Sequence, residues 1–423
     1  MRDAAAERVL DRERLAAWYR RNRRRTAGIL ALVAADAYYE KPIPLRHPFA
    51  FYDGHMPAFS LLTLNRRALR EGPVDERLER LFERGIDPGS LDDAARHERR
   101  DWPTAAQTAA FGRACDARVL AALASARIDD ASVPRLAGAQ AVYTLLEHEQ
   151  MHHETLLYIV HQLAYDRKRF VATQARETQH PPLEYVAVAA GIATIGADRA
   201  AVPFGWDNEF ARHEAYVPAF AISRYPVTNG DYLDFVRNGA PPPPFWLERG
   251  GQWRLRAAFE ELPLPLSWPV YASHDQAEAY ARWRGARLPT EAEYHRAAYG
   301  TRAGVERPFP WGDDAPQPRH GNFNFARYDP EPVDAHPAGA SDWGVHDTVG
   351  NGWEWTATPF APFAGFEAMA SYPPYSSDFF DGRHFVLKGA SPVTGRDLIR
   401  RSFRNWFYAD YPYAYAKFRC VAA

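Results

Sequence analysis

The stretch LAGAQAVYTLLEHEQMHHETLLYIVHQL, residues 136–163, carries apolar residues at helical spacing over most of its length and reads as one long bundle helix. At its centre stand Leu146-Glu147-His148-Glu149-Gln150-Met151-His152-His153-Glu154-Thr155. His148 and His152, at i and i+4, project from one face a turn apart and can share a metal. Neutral imidazole suits zinc, iron and copper alike, so the pair marks a metal-site candidate without choosing the ion. His153 points about 100° further round the helix and is not expected to ligate. The plain alternative is a helix whose histidines pack or face water. Read literally, His-Glu-x-x-His is also the zinc-peptidase signature, with Glu149 as general base. A zincin takes its third ligand from downstream, whereas this helix runs into a polar tract. Upstream, His55 in Phe51-Tyr52-Asp53-Gly54-His55-Met56-Pro57-Ala58 lies at the predicted start of another helix, from which it can face the pair across a core. A lone histidine there more often simply packs.

Outward from this helix, the same periodicity recurs in Leu15 to Leu32, Ala58 to Leu69 and Ala105 to Leu123. Four such segments predict an antiparallel bundle, whose interior is a usual place for a metal site. Beyond Leu163, DRKRFVATQARETQHPP (166–182) loses the period, ends in two prolines and reads as a linker. The expected domains are therefore 1–170 and 183–423. Of 27 glycines only 7, and of 34 prolines only 8, precede residue 181, whereas ten of the twelve tryptophans follow it. The second domain has short β-type runs such as Tyr185 to Ile195 and one clearly signalled helix, at the capping box Thr290-Glu291-Ala292-Glu293. The predicted fold class is an α bundle followed by an α+β domain.

With 423 residues, 25% of them charged and a net charge of −2, the chain has no electrostatic footprint for nucleic acid or an anionic membrane. Small-molecule chemistry is the expectation. The first 25 residues are charged throughout and lack a signal-peptide core, so a cytoplasmic location is expected. The longest apolar stretch, Gly28 to Tyr39, contains Asp36 and falls short of the roughly 20 residues that span a bilayer. Two cysteines, Cys115 and Cys420, make neither a disulfide framework nor a Cys-rich metal site.

Several landmarks of the second half occur together: Arg224-Tyr225-Pro226-Val227-Thr228-Asn229, Arg287-Leu288-Pro289-Thr290-Glu291-Ala292-Glu293, Phe309-Pro310-Trp311-Gly312-Asp313, Gly350-Asn351-Gly352-Trp353-Glu354-Trp355-Thr356 and Lys417-Phe418-Arg419-Cys420. With Gly54-His55 and the His148–His152 helix, they make the chain resemble, over nearly its whole length, the ergothioneine- and ovothiol-forming sulfoxide synthases. The resemblance implies a DinB-like four-helix bundle followed by a formylglycine-generating-enzyme-like domain related to C-type lectins. It implies an Fe(II) site of His55, His148 and His152, and dioxygen-dependent joining of a thiol to histidine or to hercynine, its trimethylated form. A selenol in place of the thiol, giving selenoneine, fits the same scaffold, as does thiol dioxygenation without coupling. From other classes stand a zinc hydrolase and a non-catalytic binding module.

The resemblance also assigns Tyr372, in Tyr372-Pro373-Pro374-Tyr375-Ser376, as proton donor, with Tyr375 beside it. It assigns substrate contacts to Arg404-Asn405-Trp406, where aromatic neighbours Phe407, Tyr408 and Tyr411 can face a trimethylammonium group. Two positions depart from the actinobacterial ergothioneine enzymes, which have Gln in place of Met151 and Asp in place of Phe407. Losing a carboxylate that would pair with a substrate amine argues against γ-glutamylcysteine and leaves the thiol open. Formylglycine generation itself needs two thiolates for copper, and only Cys420 lies in the second domain.

Overall fold

The computed structural model describes residues 10–83, 101–173 and 175–422. It divides into two compact units, Met1–Ile159 with Ala370–Tyr372, and Val160–Met369 with Pro373–Ala423. In the first unit run α1 (Arg12–Leu30), α2 (Phe49–Leu61), α3 (Glu76–Phe82), α4 (Ala105–Ser125) and α5 (Gln140–Gln162), the last three residues of α5 belonging to the second unit. Asp11 and Asp75 cap α1 and α3 by accepting from free first-turn amides, and Thr104 with Gln107 forms a capping box on α4. Helix α2 packs against α1, α3 and α4. Every residue of it except Asp53 is buried, as a helix apolar on all sides must be.

Helix α2 begins at Phe49, nine residues before the expected start at Ala58, so His55 sits in mid-helix. Gly54 and Pro57 carry the difference, because both read as punctuation in sequence. A helical proline forfeits one backbone bond, a cost that burial of nearly every residue of this helix overrides. Gly54 serves close packing: a Cβ there would lie 2.3 Å from the Phe82 ring.

Buried polar contacts fix the roll of α5. From α1, Arg23 Nη1 donates to Glu149 Oε1 at 2.9 Å while its Nε reaches Asp116 on α4 at 3.0 Å. The Thr26 hydroxyl donates to Glu149 at 2.6 Å, which leaves His153 Nε2–H to donate to that hydroxyl at 2.9 Å. Asn22 adds a bond to the Leu146 carbonyl and accepts one from Gln150. Glu149 is 1% exposed; burial raises its carboxyl pKa and Arg23 opposes that rise. With Glu149 and His153 held by α1, His148 and His152 are turned elsewhere.

The second unit has a sheet ordered β1 (Tyr185–Val188), β4 (Phe220–Ser223), β13 (Val421–Ala422), β8 (Ala286–Arg287), and another ordered β11 (Asn405–Tyr408), β10 (His384–Ala390), β9 (Gly352–Pro359), β12 (Ala416–Lys417). A hairpin of β2 (Gly191–Ile195) and β3 (His213–Val217) and a meander of β5 (Trp246–Arg249), β6 (Gln252–Arg256) and β7 (Glu261–Pro263) complete the strands. The single β run expected from Tyr185 to Ile195 is thus two strands, in different sheets. Thr290 and Glu293 do cap a helix, α8 (Glu291–Tyr299), and the boxes Thr228/Asp231 and Ser273/Gln276 start two more, α6 (Asn229–Arg237) and α7 (His274–Trp283). The segment Gly350 to Thr356 is joined to the chain end by the fully buried Arg419–Glu354 pair and by Lys417 on the Gly352 carbonyl. Those landmarks are core structure.

Within this unit the 166–182 tract is strapped down. Trp268 Nε1 donates to the Arg176 carbonyl, Ser267 N to Glu177, and His180 Nε2 lies 2.7 Å from Thr228 Oγ1. Among the described residues no helix is long and apolar enough to cross a membrane.

Removing one partner of a buried pair strands the other charge. Arg23→Ala is expected to lower the urea-unfolding free energy by about 3 kcal/mol, and adding Glu149→Gln is expected to restore part of it. Equal losses in the single and double variants would contradict the clamp.

Candidate metal centre

His55 from α2 and His148 and His152 from α5 converge so that one nitrogen of each lies within 4.8 Å of the other two. Among the described residues this is the one cluster of three or more His, Cys, Asp or Glu side chains compact enough for a single metal ion. The Nε2 atoms of His148 and His152 are 3.1 Å apart. Two nitrogens each about 2.1 Å from one ion and about 90° apart would be separated by about 3.0 Å. His55 Nδ1–H donates to the Phe82 carbonyl at 2.6 Å, leaving the lone pair on Nε2, and that buried Nε2 has no hydrogen-bond partner. An imidazole oriented through Nδ1 by a carbonyl, with Nε2 aimed at its neighbours, is the arrangement a ligating histidine needs. The donor set therefore fits a first-row metal.

Phe82 acts twice here. Its ring fills the space that Gly54 leaves, and its carbonyl, at the C-terminal end of α3, accepts from His55. Phe51 stacks on His55 at 4.8 Å between centroids and Phe59 on His148 at 3.4 Å, so residues 51, 55 and 59 form one aromatic ridge of α2. Burial lowers the pKa of His55 to about 4. Burial also puts His148 well below the ordinary range, helped by His152 and His55, and does the same to His152, helped by His55 and Arg46. All three are neutral at pH 7, the form that binds metal.

Glu149 does not join them, since its carboxylate is taken up by Arg23 and Thr26, and His153 is turned to Thr26. Tyr372 lies with the helical unit, its ring 6.1 Å from that of His148 and 5.3 Å from that of Phe59. Met151 is half-buried on α5.

The remaining candidates belong to the second unit. Tyr375 is buried, stacked on Trp206 at 3.8 Å. Arg404 is 2% exposed and bonded to Glu291 and to the Asn208 and Ala361 carbonyls, with Phe363 under its guanidinium at 4.2 Å. Its charge is committed to protein groups. Asn405, Trp406 and Phe407 are half-buried on β11, Trp406 stacking on Phe360 and Phe407 on Tyr411. Burial pushes the Cys420 thiol up to about 12, which leaves it inert. Sequence reasoning missed Phe51, Phe59 and Phe82. The i, i+4, i+8 spacing of Phe51, His55 and Phe59 was a signal for the first two, whereas Phe82 has none.

Residues 170–423 match the family described as Sulfatase-modifying factor enzyme 1-like domain, and residues 19–156 match the DinB superfamily. The chain is 40% identical over 242 residues to the hercynine oxygenase of Mycobacterium tuberculosis, covering 52% of this chain and 55% of that one. To the hercynine oxygenase of Mycolicibacterium smegmatis it is 37% identical, covering 54% and 58% respectively. To ergothioneine biosynthesis protein 1 of Schizosaccharomyces pombe it is 29% identical over 430 residues, covering 92% and 53%. The chain thus spans a little over half the length of these curated relatives.

Depressed imidazole pKa values set how protons compete with a metal. Three histidines at the ordinary value of about 6.5 would lose on the order of several hundredfold in apparent affinity between pH 7 and pH 5.5. Here the competing protonation begins only as pH falls towards about 4, the value for His55. Equilibrium dialysis with Co(II) should give an affinity nearly flat from pH 8 to 5.5 and falling below that. A steep fall between pH 7 and 6 would contradict the buried, neutral site.

Proposed function

Since the chain belongs to the sulfatase-modifying factor enzyme 1-like family and carries a DinB-superfamily region ahead of that domain, we propose that it is an iron- and oxygen-dependent sulfoxide synthase acting on hercynine or histidine and a thiol. The convergence of His55, His148 and His152 carries this reading. The balanced reaction takes a thiol, an imidazole C–H and one dioxygen to a sulfoxide-bridged product and one water. Bound Fe(II) would supply the activation of dioxygen, chemistry for which zinc has no redox state.

The chain's own residues do the rest. His55, His148 and His152 would hold the metal through neutral nitrogens, and three protein ligands leave further positions for the reactants. Gathering both substrates at one centre replaces a bimolecular encounter with an oriented one. Neutral imidazoles that ligate through one nitrogen keep their remaining N–H on the far side of the ring, as His55 does on the Phe82 carbonyl, so we assign proton delivery to the Tyr372 hydroxyl, whose ring stands beside that of His148. Met151 lies one position before His152 and offers a thioether where a hydrogen-bonding side chain would select a more polar thiol. The hercynine oxygenases among the relatives support the imidazole substrate. The zinc-hydrolase reading lacks its base, because Glu149 is ion-paired with Arg23.

Purified protein with Fe(II) in air should consume dioxygen and form the coupled product from hercynine and a thiol, and the zinc-loaded protein should form none. Peptide hydrolysis that persists without air would favour the hydrolase instead. Tyr372→Phe should leave metal binding intact while shifting product from coupling towards oxidation of the thiol alone. An unchanged coupling rate and product ratio would remove Tyr372 from the chemistry.

A further inference from the structure

We infer that Gln140 and Thr144 are positioning residues, which hold the backbone beside Tyr372 so that its phenol is presented to the metal ligands; this rests on the proton-donor reading above. The Ser371 main-chain N–H donates to Gln140 Oε1 at 3.0 Å, and the hydroxyls of Ser371 and Thr144 share a buried hydrogen bond at 2.8 Å. Both anchors come from α5 and tie the residue immediately before Tyr372.

Their place on the helix gives the tie its purpose. Gln140, Thr144, His148 and His152 follow one another at intervals of four, the row along which side chains form a ridge on a helix. The first two grip Ser371 and the last two face His55. Thr144 lies about 6 Å along the helix axis from His148. The neighbouring Tyr372 ring is met edge-on by Phe59 at 5.3 Å, and Phe59 lies flat on His148. One rigid ridge thus sets both the ligands and the height of the phenol above them. A buried hydroxyl pair with no water competing has its full directional effect. Packing alone does not require these polar groups: Thr144 is completely buried, where an apolar residue of its shape would fill the same space.

The test uses Thr144→Val, which keeps the shape without the hydroxyl, combined with Gln140→Ala, and Thr144→Ser as the conservative control. In the metal-free protein, amide exchange of the segment containing Ser371 should speed up about tenfold in the double variant. Exchange in α1 and α4, and the affinity for Co(II), should not change. Iron-loaded, the same variant should shift product towards thiol oxidation as Tyr372→Phe does, and Thr144→Ser should retain both the protection and the product ratio. Unchanged exchange at Ser371 would overturn the anchor. Faster exchange with an unchanged product ratio, where Tyr372→Phe does alter it, would overturn the positioning role. If Tyr372→Phe itself alters nothing, the proton-donor reading fails and the positioning role with it, whereas the exchange result still decides whether the anchor exists.

Discussion

A carboxylate that is 1% exposed has to be paired, and the pairing of Glu149 with Arg23 and Thr26 is the constraint on which the convergence of His55, His148 and His152 depends. A helix can roll about its axis at little cost in backbone hydrogen bonds, and an apolar face alone specifies that roll loosely. Glu149 and His153 each find a fixed partner on α1, so α5 has one orientation. His148 and His152, about 100° round the helix from them, are then turned towards His55. An ion pair of this kind adds modestly to net stability, because desolvation offsets most of the attraction. Its contribution here is registration, which matters because a site assembled from two helices fails if either one turns by a single residue.

The second half of the site is held by α3 and α2. Phe82 settles against Gly54, and the same residue's carbonyl fixes the tautomer of His55. Phe51 and Phe59 cover the faces of His55 and His148, excluding water and keeping the imidazoles neutral. A neutral, convergent set of nitrogens is costly to leave without a cation, since the buried Nε2 of His55 lacks a donor and the Nε2 atoms of His148 and His152 have only each other within hydrogen-bond reach. The environment that depresses the histidine pKa values therefore also raises the gain from binding a metal.

How much of this could be read in the sequence follows the range of the interactions. The His148/His152 pair is a local, i to i+4 relation, legible because helical periodicity surrounds it. The helical first half and the β-rich second half were legible from where glycine, proline and tryptophan fall. The start of helix α2 is hidden in the sequence, because Gly54 and Pro57 look like breakers until the Phe82 ring and the surrounding burial are known. The Ser273/Gln276 box is legible in the sequence, whereas Thr228/Asp231 closes with the shorter Asp in place of Glu or Gln. The His-Glu-x-x-His string has two chemical meanings, and the contact that bears on the choice, Arg23 on Glu149, spans 126 positions. The surroundings of Arg404 were the least legible. Arg404 is a buried partner of Glu291, a relation 113 residues long that no spacing announces.

The central claim, that one metal is held by these three imidazoles, is tested most directly by X-ray absorption at the iron edge of protein loaded with Fe(II) without air. The account predicts three imidazole nitrogens at about 2.1 Å, reduced to two in His55→Ala, with no sulfur from the protein. A spectrum with fewer than three imidazoles in the parent protein, or one unchanged by His55→Ala, would contradict it.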